Sequence, residues 1–306
     1  MKFKKKIILT KIEATYGQDA APTGALNAVQ AFDVSIKPIE AQNIDREITT
    51  ETLGSSPTML VGLHQSVEFS VELAGSGAAG TVPGYSDCLR ACALAETINA
   101  GDVQYDPVSE NAESATLYFH IDGNLHKLLG ARGSVAFEIS TQNRPMMKFK
   151  FIGLWVDPVA AAMPSGDFSK FIQPLPVSAA NTPTFTIHGH SPKMQSLSID
   201  LGVSNVHRDL VNGASILMTD RASKGSVVIE SPVISVKDFF AMAKAATLDA
   251  LQLVHGTTAG NICQIDCPKV QIMPPDYSDS DGVAMLSMDL NICRDTGDDE
   301  FKLTVK

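Results

Sequence analysis

Strict alternation of apolar and polar side chains marks the first clear element of this 306-residue chain. Residues 66–73 read SVEFSVEL, so that apolar side chains share one face of an extended segment and polar side chains share the other. A period of two predicts a β-strand that is buried on one side. A shorter run rich in β-branched residues at 225–231, GSVVIES, predicts a strand of the same kind in the second half.

Each half then ends in two longer alternating segments with turn-forming residues between them. The alternating segments cover 133–140 and 146–155 in the first half, and 261–273 and 283–292 in the second. The turns between them are predicted at 141–145 and 274–282. This pattern indicates a pair of antiparallel strands at the end of each half.

Apolar residues at helical spacing precede each of these strand pairs. The first predicted helix covers 86–96 and has Ser86 at its N-terminal cap. The second covers 235–249, where Ser235 and Asp238 resemble a capping box. The apolar positions are Leu89, Cys92 and Ala93 in the first helix and Val236, Phe239, Phe240 and Ala243 in the second.

A short segment at the start of each half suggests that the whole order repeats. NIDREI at 43–48 and NVHRDL at 205–210 both place an arginine before an acid, with apolar residues at the second and sixth positions. The same order of elements occurs in both halves: strands, this segment, a strand, a helix and two long strands. We therefore predict a mainly β fold, a β-sandwich or barrel-like sheet pair with one flanking helix per domain, built by tandem duplication. The predicted domains are 1–157 and 184–306, joined by a linker at 158–183 that is rich in Pro, Ala and Ser.

Composition narrows the class of function. The net charge of -10 disfavours tight nucleic-acid binding, which needs clustered Lys and Arg. The one basic cluster, MKFKKK, precedes only three apolar residues, too few for the core of a signal peptide. We therefore expect a soluble cytoplasmic protein without membrane partners. Five cysteines in a chain of this length favour reduced thiols over a disulfide framework.

Candidate chemical sites are weak. His188 and His190 lie two apart on a predicted strand, without an acidic or cysteine partner at metal-ligand spacing. The pairs Cys263/Cys267 and Cys88/Cys92 are interpreted as small core residues. Glycines at 75, 77 and 80 match the spacing of a dinucleotide motif, but residues 81–84 separate them from the following helix, so a flexible loop is favoured. No catalytic, cofactor-binding or metal-binding residue is predicted, and the chain is not expected to be an enzyme.

The arginines of the repeated segments allow two interpretations. Arg46 and Arg208 each lie beside an acid, Glu47 and Asp209, so a surface salt bridge of little energetic value is one of them. The other is a contact surface between copies, because a duplicated domain reuses its interface. Strand edges that are exposed on a single domain must in any case be paired or blocked, and a closed ring pairs such edges.

An ordered set of short stretches carries a resemblance that covers nearly the whole chain. The stretches are EATYGQD (13–19), PTG (22–24), ELAGSG (72–77), LRAC (89–92), IDGNLHKLLGARG (121–133), FIGLW (151–155), LMTDR (217–221), LQLVHGTTAGN (251–261) and DSDG (279–282). Together they resemble the tail tube proteins, or major tail proteins, of long non-contractile-tailed bacteriophages, in the version with two tube domains. The resemblance rests on the ordered set, since no single stretch is diagnostic.

The resemblance implies a structural virion protein that assembles with itself. Three chains would give a ring of six tube domains, and stacked rings would form a hollow tube through which DNA leaves. The implied partners are the tape measure, tail terminator and tail tip proteins, with DNA passing through without specific binding. The segments 49–62 and 1–30 are the implied contacts to neighbouring copies. Candidate interface residues are Arg46, Glu47, Leu53, Pro57, Met59, Arg208 and Asp209, and candidate lumen residues are Glu68, Glu72, Asp266 and Asp289.

A second class of function stays open at this stage. A tail-tip or decoration module that binds carbohydrate or protein on the host surface would use a similar β-sandwich. Such a module needs exposed aromatic platforms, whereas this chain contains one Trp and five Tyr. The scarcity of stacking side chains favours the tube.

Overall fold

The computed structural model describes residues 2–306. These residues form many strands and only three short helices, which confirms the mainly β class. The strands are β1 (Lys6–Ile12), β2 (Ala28–Val29), β3 (Phe32–Asp45), β4 (Thr58–Glu72), β5 (Leu94–Ile98), β6 (Val103–Pro107), β7 (Ala115–Ile121), β8 (Asn124–Ser140), β9 (Met146–Leu154), β10 (Val159–Ala160), β11 (Thr184–Ile187), β12 (Met194–Asp200), β13 (Val203–Leu210), β14 (Gly213–Arg221), β15 (Lys224–Glu230), β16 (Leu248–His255), β17 (Cys263–Ile272), β18 (Asp276–Ser280), β19 (Val283–Ile292) and β20 (Lys302–Val305). The helices are α1 (Gly24–Asn27), α2 (Ser86–Arg90) and α3 (Phe239–Lys244).

One antiparallel sheet, here called the main sheet, runs across both halves of the chain. Its strands follow in the order β3, β4, β9, β8, β12, β15, β19 and β18. The two halves meet where β8 pairs with β12, in a register that places Phe137 opposite Ile199 and Ile139 opposite Leu197. All four side chains are buried, so the junction is part of the core and not a loose contact between domains.

Shorter sheets cover the inner face of the main sheet. In the first half, β1 pairs with β2 and β7, and β7 pairs with the first part of β8. In the second, β11, β16, β17, β20, β6 and β5 are neighbours in that order. One hydrophobic cluster lies between the layers and extends through both halves. This arrangement is the predicted sandwich, and it is joined into one body by β8–β12 and by β6–β20.

The pairing scheme of the first half recurs in the second. The β1–β7, β4–β9, β7–β8 and β8–β9 pairings correspond to β11–β16, β15–β19, β16–β17 and β17–β19. The long β3–β4 hairpin corresponds to β12–β15 near the core and to β13–β14 beyond it. α2 and α3 occupy the same place in the chain order of the two halves.

Both helices are shorter than the apolar spacing predicts. The helix predicted over 86–96 ends at Arg90, and β5 begins at Leu94; the helix predicted over 235–249 covers only Phe239–Lys244. Ala93 and Ala246 have positive φ angles of 60° and 50°, a left-handed conformation that ends a helix. The caps also differ from the prediction, because the Asp238 side chain alone accepts from the Ala241 N–H and Tyr85 precedes α2 without a side-chain cap.

Two connections differ from their predicted form. The turn predicted at 274–282 contains a further strand, β18, which forms a hairpin with β19. The linker at 158–183 is packed against the rest of the chain. Its strand β10 pairs with the start of β8. Val177 is buried and exchanges backbone hydrogen bonds with the 141–145 turn. The first part of the linker therefore follows the surface of the first half, and its end contacts the second half, where Gly256 N–H donates to Asn181 O.

The glycine-rich loop at 74–80 holds the two halves together. Gly77 N–H donates to Gly260 O at 2.9 Å, and Gly75 N–H donates to the Asn261 side chain at 3.0 Å. A Cβ on Gly75 would lie 2.0 Å from Gly260 O, so only glycine allows this approach. The predicted interpretation as a flexible loop is wrong, since the glycines permit close backbone packing.

Candidate assembly surfaces

The first candidate surface is the outer part of the β3–β4 hairpin, residues 39–64, here called the first arm. Most of its residues are exposed on both faces, in contrast to the base of the same hairpin, where β4 is largely buried. Leu53 at the tip is fully exposed. The predicted interface residues Arg46, Glu47 and Pro57 lie at the exposed tip, and Met59 lies on the adjoining part of β4.

The second candidate surface is the β13–β14 hairpin, residues 203–221, here called the second arm. It forms a two-stranded sheet of its own, and its turn carries Val211 with 93% of its surface exposed. The predicted interface residues Arg208 and Asp209 lie on β13 close to that turn. The repeated segments NIDREI and NVHRDL thus lie at corresponding places on the two arms.

The two arginines are exposed and have no acidic partner. Among residues 2–306, neither Arg46 nor Arg208 takes part in an ion pair. The interpretation as a local salt bridge is therefore wrong. Both arms also expose apolar side chains along their length: Ile44, Ile48, Met59, Leu60, Val206, Leu210 and Leu217.

Residues of the first half anchor the middle of the second arm. The Ile216 N–H donates to the Tyr16 hydroxyl at 2.5 Å, and Arg132 donates from Nη1 to Ile216 O at 2.8 Å. The Arg132 guanidinium also lies over the Tyr16 ring, 5.2 Å from its centre. Burial is the main cause that raises the pKa of Tyr16, so its hydroxyl stays protonated at neutral pH. These contacts fix the direction of the arm relative to the core.

A pair of stacked histidines joins the two arms. The rings of His64 on β4 and His207 on β13 lie 4.8 Å apart, nearly parallel. His64 Nδ1 lies 3.0 Å from Gly62 O. Burial, followed by the neighbouring His64, lowers the pKa of His207, whereas Asp209 opposes this shift. Protonation of both rings would place like charges face to face.

We expect acidification to weaken this contact. Because folding lowers the pKa of His207, the unfolded chain binds that proton more readily, and the contribution of neutral His207 is complete above about pH 6.5 and is lost below it. The melting temperature of His207→Gln should fall less between pH 7.5 and pH 5.5 than that of the unchanged protein. His190→Gln, which alters a histidine that stacks on no other histidine, is the matched control. Parallel pH profiles for the unchanged protein and His207→Gln would contradict the expectation.

Three of the four predicted lumen residues share one face of the main sheet. Glu68 and Glu72 on β4 and Asp289 on β19 point away from the core, because they alternate with buried side chains. Asp266 lies in a different place, on the part of β17 that pairs with β16 and β20, where it accepts hydrogen bonds from Gln252 and Gln264. The structure therefore brings Glu68, Glu72 and Asp289 onto one face and leaves Asp266 outside it.

This polar face mixes charges of both signs. Glu68 lies 3.3 Å from Lys150, Glu72 pairs with Arg144 at 2.8 Å, and Glu138 pairs with Lys148 at 2.6 Å. The negative charge of the chain is therefore not concentrated here.

The main sheet ends in two edge strands, each of which is paired on one side only. Among the described residues, β3 pairs only with β4 and β18 pairs only with β19, so each leaves one row of backbone groups without a strand partner. Tyr277 on β18 is 61% exposed. Sequence reasoning missed this edge because Pro274 and Pro275 and the polar run after them are typical of a turn; the aromatic residue between polar neighbours was the available signal.

Residues 2–306 contain no group of three or more His, Cys, Asp or Glu placed to hold a metal ion. His188 lies in a turn after β11, and its buried ring lies 2.7 Å from Val270 O, apart from His190. The cysteine pairs are buried and free, as predicted, and burial raises the pKa of Cys88 and of Cys263 to about 12. None of the three short helices in this part of the chain is long enough to cross a membrane.

Residues 4–292 match a family described as phage tail tube protein. A search of curated proteins finds no match. Because the match covers nearly the whole chain, the protein belongs to the phage tail tube protein family.

Proposed function

We propose that this chain is a virion structural protein that assembles with itself into stacked rings, which form the hollow tail tube for DNA ejection. The observation that carries the proposal is the main sheet, which crosses both halves and ends in the edge strands β3 and β18, each paired on one side only. Exposed strand edges are liabilities that closure of a ring removes. A head-to-tail contact between identical copies closes into a ring when the rotation between them allows it.

Each chain supplies two tube units, 1–157 and 184–306, joined by the linker 158–183. The recurrence of the strand pairings and the corresponding places of the two arms support this tandem duplication. Three copies then give a ring of six similar units. The β8–β12 junction within the chain serves as the pattern for the contact between chains.

The arms are proposed to contact the next ring. They carry exposed apolar residues together with the unpaired Arg46 and Arg208, a composition typical of interfaces and costly on a free surface. Leu53, Pro57 and Met59 on the first arm and Asp209 on the second belong to this proposed contact. The Tyr16 and Arg132 anchor holds the second arm in a fixed direction, which reduces the entropy lost on stacking.

The polar face with Glu68, Glu72 and Asp289 is proposed to line the channel. Its paired charges offer DNA no continuous basic surface, so phosphates find few unpaired cations to bind. DNA would pass through without specific binding. Tape measure, tail terminator and tail tip proteins are the proposed partners, and the protein would be made in the host cytoplasm and reside in the virion tail as a non-enzymatic component.

Electron microscopy of the purified protein tests the proposal. We expect rings or tubes with a central hole and threefold symmetry that looks nearly sixfold in class averages. Leu53→Asp should keep single rings but reduce stacking into tubes, because a charge then lies in the proposed contact between rings. Glu110→Gln, a change at an exposed residue outside the arms, is the control. Compact monomers without a channel, at every salt and protein concentration, would instead support a tail-tip or decoration module.

A further inference from the structure

We propose that neighbouring copies join by pairing β18 of one copy with β3 of the next, with Tyr277 opposite Ile36. This inference rests on the proposed ring. It specifies which strand edges pair between adjacent copies, in which register they pair, and which charged residues face each other across that pairing, the seam. The β8–β12 junction supplies the template because β12 corresponds to β3, and the end of β8 corresponds to β18, which follows β17 along the same side of β19.

The correspondence can be set residue by residue at the ends of two equivalent strands. β4 ends where Glu72 lies opposite Met146, and β15 ends where Glu230 lies opposite Met285. The residue after each strand end donates a backbone hydrogen bond to the partner chain segment. Leu73 N–H donates to Pro145 O at 3.0 Å, and Ser231 N–H donates to Ala284 O at 2.9 Å. The two strand ends therefore superpose without a shift.

This alignment assigns a counterpart to each side of the internal junction. Phe137 lies opposite Met147, one residue after Met146, and Tyr277 lies opposite Leu286, one residue after Met285. Ile199 pairs with Gly225, five residues before Glu230. Ile36 pairs with Val67, five residues before Glu72. Tyr277 is thus the counterpart of Phe137, and Ile36 is the counterpart of Ile199.

The counterparts differ sharply in burial. Phe137 and Ile199 are completely buried where they face each other in the internal junction. Tyr277 is largely exposed and Ile36 is only partly buried. Apolar side chains at equivalent positions are covered in one case and uncovered in the other, so the free edges lack the partner that the internal junction has.

The register follows from the template. Ser198 lies opposite Glu138, and Asp200 lies opposite Ala136. The same pairing places Ser278 of one copy opposite Ser35 of the next. It also places Asp276 opposite Lys37, an opposite-charge pair across the seam. Lys37 already lies 3.7 Å from Glu40 of its own copy, so Asp276 would add a second carboxylate to this ammonium group.

The surface beside β3 fits the same partner. A groove of about 530 Å³ lies between β1 and β3, with Val29, Val34 and Phe168 among its apolar residues and Lys4 and Lys6 at its side. The other edge carries Asp276, Asp279 and Asp281, and its Tyr277 ring packs on Phe240 of α3, 5.4 Å between centres. A basic, apolar groove and an acidic strand with an aromatic side chain are complementary.

A cysteine pair tests the register. Ser35→Cys with Ser278→Cys, in a Cys293→Ser background that removes the one cysteine that is not buried, should form disulfides between chains under mild oxidation. Dimers and trimers should then appear on a non-reducing gel. Ser35→Cys with Ser226→Cys is the matched control, because Ser226 lies on the central strand β15, away from either edge. Cross-linking in the control to the same extent would overturn the register.

Charge reversal tests the electrostatic part. Lys37→Glu or Asp276→Lys alone should raise the protein concentration at which half the chains form rings by about fivefold, because like charges then face each other. The double variant should return that concentration to the starting value. Normal rings without the Ser35–Ser278 cross-link and without rescue would overturn this seam but leave the tube proposal standing. Failure of the unchanged protein to form any ring would overturn both.

Discussion

Replacement of Arg221 by alanine is expected to lower the free energy of unfolding by about 3–5 kcal/mol, because it leaves a buried carboxylate without its partner. The Arg221 side chain is only 9% exposed. Its Nε donates to Glu300, which is also buried; its Nη2 donates to Asp298 at 2.7 Å and its Nη1 to Val108 O at 2.9 Å. One guanidinium thus joins the second arm, the C-terminal segment and the first half.

Chemical denaturation of the purified protein measures this loss. Arg294→Ala, at an exposed arginine outside both arms, should change the free energy of unfolding by less than about 0.5 kcal/mol and is the matched control. The double variant Arg221→Met with Glu300→Leu should recover a large part of the lost stability, since it removes the buried charge together with its partner. A loss below about 1 kcal/mol for Arg221→Ala would show that Glu300 finds water or another partner.

Replacement of Glu13 by glutamine should also destabilise the protein, by about 2 kcal/mol, although the two side chains have the same shape. The Glu13 carboxylate is 8% exposed and accepts four hydrogen bonds. Oε1 accepts from Gly130 N–H and Thr116, and Oε2 accepts from Gly17 N–H and Ser114. Whichever oxygen becomes an amide NH₂ then faces a backbone N–H that can only donate.

Thermal and chemical denaturation of Glu13→Gln and Glu13→Ala test this arrangement. Alanine should cost more than glutamine, about 3–4 kcal/mol, because both backbone donors then lose their acceptor. Glu51→Gln at the exposed tip of the first arm is the control and should have little effect. Equal stability of Glu13→Gln and the unchanged protein would mean that the hydroxyl groups and backbone shift to accommodate the amide.

Strands buried on one side could be predicted from sequence because burial imposes a period of two. β19 was predicted with its observed bounds, 283–292, β9 was predicted over its whole length, and β4 was predicted only in its buried part from residue 66 onward. The helices were overestimated, since apolar spacing continues past Ala93 and Ala246, whose left-handed backbone is set by the surrounding packing. Local pattern also missed β18, because its partner β19 and not its own composition makes it a strand.

The candidate site was predictable only in part. The repeated Arg-acid segments indicated candidate contact residues in both halves, and the resemblance implied a contact segment at 49–62, but the separate hairpin at 203–221 was not predicted. The β8–β12 junction was not predicted either, because it pairs residues about sixty positions apart and nothing in either segment specifies the other. The shared face of Glu68, Glu72 and Asp289 followed from alternation, whereas the different place of Asp266 depends on how β17 passes from one layer to the other.

The pairing of β6 with β20 also determines when the fold can be completed during synthesis. Val103 lies opposite Val305, so β6 can pair with β20 only after about two hundred further residues have been synthesised. Contacts of such long sequence separation slow folding and leave strand edges exposed meanwhile. The first half therefore emerges with β5 and β6 unprotected on one side, and a nascent chain stalled before residue 302 should aggregate or recruit chaperones more readily than the finished protein.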